Sequence, residues 1–305
     1  MSEPRPHLLI VGSVAFDTLH IAGQAHRRIL GGSAVYASLA ASHFAGVQLV
    51  GVVGRDFPLS AMAMLRERGI DLEGLEIAEG DTFHWEGRYS DDLSSRTTLG
   101  TDLNVFADFR PSVPESFRTP SYALLANIDP GLLLEVLDQI QKPRLTVTDT
   151  MNFWIDTRRP ELERLLERTD LLVFNDEEAR QLSGENNLVK AAEAVRRLGP
   201  RHIIIKKGEH GALLFGDDGI FSIPAWPLSE VTDPTGAGDT FAGALLGYLA
   251  RSDRVSSGTL RTAMVYGTAL ASFCVTGVGV EALSSVTEQQ IRDRFQQFTE
   301  LVAFE

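Results

Sequence analysis

The run Asp233-Pro234-Thr235-Gly236-Ala237-Gly238-Asp239 sets two carboxylates around a glycine-rich turn, and an apolar stretch follows it at once. Beyond Thr240, residues Phe241, Ala244, Leu245, Tyr248 and Leu249 fall at helical spacing, which predicts a helix with one buried face. Gly243 and Gly247, one helical turn apart, would let another element pack closely against it. Pro234 cannot continue a ladder, and Gly236 and Gly238 relax the backbone, so the chain is expected to turn tightly and enter the helix near Asp239. A helix start carries N–H groups without intrahelical partners and a partial positive charge, and glycines let an anion approach that backbone. The chemistry this spacing offers is an anion cradle with a carboxylate at its edge. Asp239 reads equally well as a plain N-cap, worth about 1 kcal/mol, and the motif alone does not separate the two roles.

Such a cradle needs a scaffold, and the rest of the chain supplies one. Short apolar runs read as buried strands: HLLIVGS from His7, VQLVGVVG from Val47, SYALLAN from Ser121, RLTVTDT from Arg144, DLLVFN from Asp170 and RHIIIKKG from Arg201. Helical stretches fall between them. One follows Gly31 and is expected to stop at Gly46; one ends at Gly69; others lie near 131–140, 160–168 and 187–198. Alternation of this kind predicts an α/β fold with a mostly parallel sheet covered on both faces. Asp218 and Gly219 between two apolar runs suggest a hairpin, and the chain is helical over 240–250, 258–276 and 287–302. Residues 16–22 and 82–109 depart from this rhythm. Their polar and apolar residues alternate without helical period, which suits short antiparallel strands with one wet face, a small β-lid inserted in a single domain spanning 1–305. A long surface loop is the alternative over 82–109.

Composition narrows the function classes. The 305 residues carry a formal net charge of −13 and no Lys/Arg-rich run, which argues against a nucleic-acid or anionic-membrane surface. The single cysteine, Cys274, excludes an internal disulfide and is expected to pack in the core; a cytoplasmic location fits. The N-terminal stretch has no basic start followed by an apolar run, and no segment approaches the ~20 apolar residues of a membrane span. GVGVEA, Gly277 to Ala282, matches a dinucleotide fingerprint on paper, but it follows a helix rather than a strand. Gly-Lys never occurs, so there is no Walker loop, and the seven histidines show no metal-ligand spacing.

Taken together, DPTGAGDTF (Asp233–Phe241), GGSAVYASLAA (Gly31–Ala41), NDEE (Asn175–Glu178) and KKGEHG (Lys206–Gly211) resemble the motifs of the ribokinase-like, or PfkB-type, carbohydrate and nucleoside kinases, in the right order and spacing. The resemblance covers nearly the whole chain. It implies a three-layer sandwich with a mostly parallel central sheet flanked by helices and a small β-lid. It implies that Asp239 is a general base for an alcohol attacking the γ-phosphoryl of ATP, with the amides of Gly236, Ala237, Gly238 and Asp239 stabilising the transferring group. Asn175 and Glu178 would order Mg2+, through water; the competing role for Asn175 is to cap the helix that follows it. Lys207, Gly208, Gly211 and Thr235 would line the nucleotide, and Asp233 is a candidate ligand for a monovalent cation such as K+.

For the acceptor, the resemblance points to Asp17, Gly31, Gly32 and Ser33. Where many relatives carry Asn this chain has Tyr36, which either removes a substrate-binding amide or stacks on the ligand. Phe83, Trp85 and Tyr89 form an aromatic wall or pack within the lid; Arg88 and Arg96 face anionic substrate or solvent. The expected function is ATP-dependent phosphorylation of a hydroxyl, primary in character, on a small sugar or sugar derivative. The alternatives are a nucleoside kinase of the same fold and a ligand-sensing protein that no longer turns over. A homodimer through the lid is expected, because exposed strand edges seek partners.

Overall fold

Leu8 and Ile10 of the first strand enter one apolar core, and Leu9 and Val11 enter another. This period of two with both faces buried is what a central parallel strand requires. The computed structural model describes residues 7–93 and 95–303. Positions 1–6 of the N-terminal stretch, position 94 of the lid segment and positions 304–305 lie outside the described residues.

In chain order the strands begin with β1 (His7–Val11), β2 (Ala15–Ile21), β3 (Gln24–Gly31), β4 (Gly46–Gly54), β5 (Ile70–Ala78), β6 (Phe83–Tyr89) and β7 (Arg96–Asp102). They continue with β8 (Tyr122–Leu125), β9 (Leu145–Asp149), β10 (Leu171–Asn175), β11 (His202–Lys206), β12 (Ala212–Gly216) and β13 (Gly219–Ile223). The large sheet has the order β13-β12-β11-β10-β9-β8-β1-β4-β5. It is parallel from β5 to β11 and antiparallel only at its β12 and β13 edge. The hairpin expected at Asp218-Gly219 is that β12–β13 pair, and Gly219 takes the positive φ its turn requires.

The helices are α1 (Ser33–Ser42), α2 (Leu59–Glu67), α3 (Pro130–Gln139), α4 (Asn152–Thr157), α5 (Arg159–Leu166) and α6 (Asp176–Ser183). Beyond them come α7 (Leu188–Arg196), α8 (Ala237–Ser252), α9 (Ser257–Cys274), α10 (Glu281–Ser285) and α11 (Glu288–Leu301). Side chains of α1, α2 and α8 to α11 share one core with the first face of the sheet, and those of α3 to α7 cover the other. The sheet is thus the middle of three layers. The contact between α1 and α8 is unusually close. A side chain on Gly243 would collide with the backbone of Ala37, and one on Gly247 would sit 2.9 Å from Ala41. Cys274 ends α9 and is fully buried, as expected.

A separate small sheet has the order β3-β2-β6-β7. The lid is therefore real, but it differs from the segments expected for it. Gln24–Gly31 forms a lid strand that its charged, largely exposed sequence concealed. Residues Asn104–Asp108 form a 3-10 turn rather than strand. The pairing of β2 with β6 is parallel, not antiparallel. Two further corrections concern the large sheet. Helix α1 ends at Ser42, and Gly46 opens β4 instead of stopping the helix. Ile70–Ala78 is a strand at the sheet edge that alternation alone did not reveal.

Candidate active site

The turn before α8 is held from both sides. Asp233 is buried, and its carboxylate accepts the Thr235 N–H at 2.9 Å and the Gly279 N–H at 2.8 Å. One carboxylate thus staples the glycine loop to the Gly277–Ala282 loop, which explains why that paper match to a dinucleotide fingerprint lies beside the site. Gly236 takes the N-cap position with φ 74°, a conformation that costs other L-residues roughly 1–2 kcal/mol. A side chain there would also run into the ring of Tyr36. Tyr36 is thus packed beneath the loop, 1% exposed; its ring is not free to stack on a ligand.

Helix α8 begins at Ala237, earlier than expected, so Asp239 is the third residue of its first turn rather than its N-cap. A carboxylate there is favoured by the helix dipole. Among the described residues, the N–H groups of Gly236, Gly238 and Asp239 have no main-chain acceptor, and Ala237 reaches the Pro234 carbonyl only at 3.3 Å. Asp239 itself is partly exposed. Burial pushes its carboxyl up to about 7, the Asp149 carboxylate pushes the same way, and Lys206 and Arg96 pull it back.

Asp17 projects from β2 toward the same place. It is 5% exposed, lies against the backbone of Gly31 where a side chain would strike it, and has no hydrogen-bond partner among the described residues. Burial raises its carboxyl to about 7, helped by Asp233 and Asp239 and opposed by Arg96. An unpaired, nearly buried carboxylate is costly, which marks Asp17 as a group kept for a ligand. Gly32 has φ 96° and packs on the Ser13 carbonyl. Ser33 differs from expectation. Its hydroxyl is committed to Ser13, accepting the Ser13 N–H at 3.2 Å and meeting the Ser13 hydroxyl at 3.1 Å. It ties α1 to the end of β1 instead of offering a hydroxyl.

At the carboxyl ends of β9, β10 and β11 stand Asp149, Asn175 and Lys206. Asn175 caps α6: its side chain accepts the Glu178 N–H at 2.8 Å, and Glu178 accepts the Asn175 N–H at 2.7 Å. This capping box leaves one Glu178 oxygen and the Asn175 amide nitrogen uncommitted among the described residues. Burial raises Glu178 to about 7, with Asp149 adding to the rise. Lys206 and Asp149 were not singled out in the sequence. The Lys206 ammonium lies 3.7 Å from Asp149. Burial works against that ammonium, but Asp149, Glu178 and Asp239 outweigh it and hold its pKa above the usual lysine value. Lys207 takes part through its main chain, its N–H donating to the Gly211 carbonyl at 2.7 Å. Gly208 and Gly211 both have positive φ in this turn.

The lid closes on the loop. Tyr89 and Thr235 share a 2.8 Å hydrogen bond through their hydroxyls. Trp85 pairs in register with Asp17, stands near Arg96 (5.1 Å from its guanidinium) and donates to Thr98 at 3.3 Å. Arg96 is exposed, yet its charge lowers Asp17, Glu178 and Asp239, so it faces the carboxylates. Phe83 stacks on Phe106 within the lid base, and Arg88 is exposed on the face of β6 away from Tyr89. Of the aromatic wall, Phe83 is stacked on Phe106 and Tyr89 is bonded to Thr235, while Trp85 is the register partner of Asp17.

Comparison with known proteins agrees with this fold. Residues 8–287 match the family model described as pfkB family carbohydrate kinase. The chain belongs to that family and is a phosphotransferase of the sugar and nucleoside kinase class. It is 30% identical over 245 residues to the cytidine kinase of Thermococcus kodakarensis, covering 78% of this chain and 87% of that one. It is 27% identical to the nucleoside kinase of Methanothermobacter thermautotrophicus, covering 92% and 93%. A protein from E. coli assigned as ribokinase II, solved with ATP and Mg2+, superposes with a TM-score of 0.80 at 17% identity over 96% of this chain and 99% of that one. Among the described residues no helix is long and apolar enough to cross a membrane.

Proposed function

We propose that the protein transfers the γ-phosphoryl of ATP to a primary hydroxyl of a small pentose-bearing alcohol, with Asp239 as general base. The observation that carries this reading is the pairing of a partly exposed Asp239 carboxylate with the N–H groups of Gly236 and Gly238, which have no main-chain acceptor among the described residues, at the same helix start. The carboxylate takes the proton of the acceptor hydroxyl as its oxygen bonds to the γ-phosphorus, and the bond to the β-phosphate oxygen breaks to release ADP. The amides face the transferring group and need not reorganise as its charge shifts. Asp17 accepts hydrogen bonds from hydroxyls of the acceptor, and Arg96, carried by the lid, offsets the charge of the two carboxylates.

The donors suit a metal that arrives with the nucleotide. Among the described residues no group of three or more His, Cys, Asp or Glu could hold a resident ion. The free Glu178 oxygen and Asn175 amide can hold water around Mg2+, which when bound spreads the charge of the triphosphate. Asp233 keeps the stapling role; a monovalent cation there rests on the resemblance alone.

The relatives named cytidine kinase and nucleoside kinase favour a nucleoside over a free sugar as acceptor. Tyr36, packed under the loop, and Phe83 and Tyr89, engaged in protein contacts, lend that choice no support. The test is an activity and thermal-shift panel of nucleosides and sugars with ATP and Mg2+, run beside Asp239→Asn. That variant should keep its fold and lose ~10²–10⁴ in kcat; an unchanged rate removes the base.

A further inference from the structure

We propose that Lys206 is a further catalytic residue of this site. Its ammonium reaches the transferring phosphoryl from the sheet side while the 236–239 amides hold it from the helix side, and Asp149 positions the ammonium. This inference rests on the kinase reading above and deepens it.

Geometry carries the argument. Lys206 ends β11 with Asn175 as its register partner on β10, so it stands on the carboxyl edge of the sheet, where ligands gather. Its side chain is 19% exposed and rises toward the glycine loop. A side chain begun on Gly238 would sit 2.7 Å from its Nζ. The ammonium therefore lies against the very residue whose N–H lacks a main-chain acceptor. A fixed cation and a free donor flank one spot.

The contact with Asp149 leaves the ammonium available. At 3.7 Å it is an ion pair, longer than the ~2.7–2.9 Å of a charge-assisted hydrogen bond. Asp149 is anchored separately, since its other oxygen accepts the Thr150 N–H at 2.9 Å. The Lys206 donors thus have room for an anion. Neutralising Asp149 is no sufficient reason for the lysine, because a buried ion pair commonly gains little over an apolar pair of the same volume. One ammonium also serves three carboxylates, Asp149, Glu178 and Asp239, more than a structural partner needs. When a triphosphate enters, this cation already stands beside the glycine loop on the sheet side.

The experiment compares the whole protein with Lys206→Met and with the double variant Asp149→Asn/Lys206→Met, using the acceptor found in the panel. Readouts are kcat, KM for ATP, ADP affinity and melting temperature. Lys206→Met is expected to lower kcat by ~10²–10³ while ADP binds within about threefold of wild type, because the lost contact is to the transferring group. Lys206→Met also strands a buried carboxylate and lowers the melting temperature; the double variant should recover to within about 2 °C and stay slow. Recovery of kcat together with melting temperature overturns the proposal, as does a Lys206→Met turnover within about threefold of wild type. Should neither variant fold, wild-type protein crystallised with ADP, Mg2+ and aluminium fluoride decides. Nζ within ~3 Å of a fluoride supports the proposal, and a fluoride held by amides alone overturns it. A wild-type protein that transfers phosphoryl to no acceptor brings down the kinase reading as well, so the two failures are distinct.

Discussion

Asp239 and Asp17 are both carboxylates whose pKa burial raises to about 7, and each consequence follows from that. A base must be ionised to accept a proton, so Asp239 is inactive below its pKa. The rate under kcat/KM conditions should therefore rise with pH through about 7 and level off above it; a flat profile from pH ~5 to 8 would show that another group takes the proton. The stability effect runs the opposite way. Between the unfolded value of 3.8 and about 7, folded Asp17 holds a proton that the unfolded chain has released. Stability then falls as pH rises through that window, and the cost is complete above it. Asp17→Asn should accordingly melt ~2 °C or more above wild type at pH 8 and match it near pH 4 in calorimetry. The same variant should raise the acceptor KM by ~10-fold or more, the value of a hydrogen bond to a charged group. No gain in melting temperature at pH 8 would mean that Asp17 has a partner in the free protein.

Among the elements, the entry into α8 concentrates the most constraint. Gly236→Ala forces a side chain into the left-handed region and into the Tyr36 ring. The expected result is a loss of roughly 2 kcal/mol or more, seen in denaturant melts, together with lost turnover. A variant of wild-type stability would mean that the loop and Tyr36 do not pack as described. The long helices were legible because their periodicity is local. Strand β5 was not: its pairing with β4 is shifted between Gln48 and Val50, and the slip breaks the alternation at Gly74. Strand β3 was hidden because half of its residues are exposed and only Gly31 is buried, so no apolar face marks it. The parallel pairing of β2 and β6 was beyond reach for another reason, since alternation is the same for either direction.

The whole molecule joins a three-layer body to a lid whose outer strand, β7, is exposed along most of its length, Leu99 at 42%. An open edge of this kind pairs readily, and we propose that two lids pair to form a homodimer. Sedimentation velocity should give twice the chain mass, reduced to a single chain by Leu99→Glu; a monomer at high concentration would refute it. The sequence by itself determined the tight glycine turn into a helix, the cap at Asn175 and a mostly parallel sheet covered on both faces, because glycine conformation, helix caps and apolar periodicity act over a few residues. Only the tertiary structure decided which of two adjacent lysines turns toward Gly238, that Tyr36 lies under the loop, and that Ser33 is spent on Ser13. Those outcomes depend on which strands become neighbours and how their side chains share the space between them, and residues far apart in the chain settle that together.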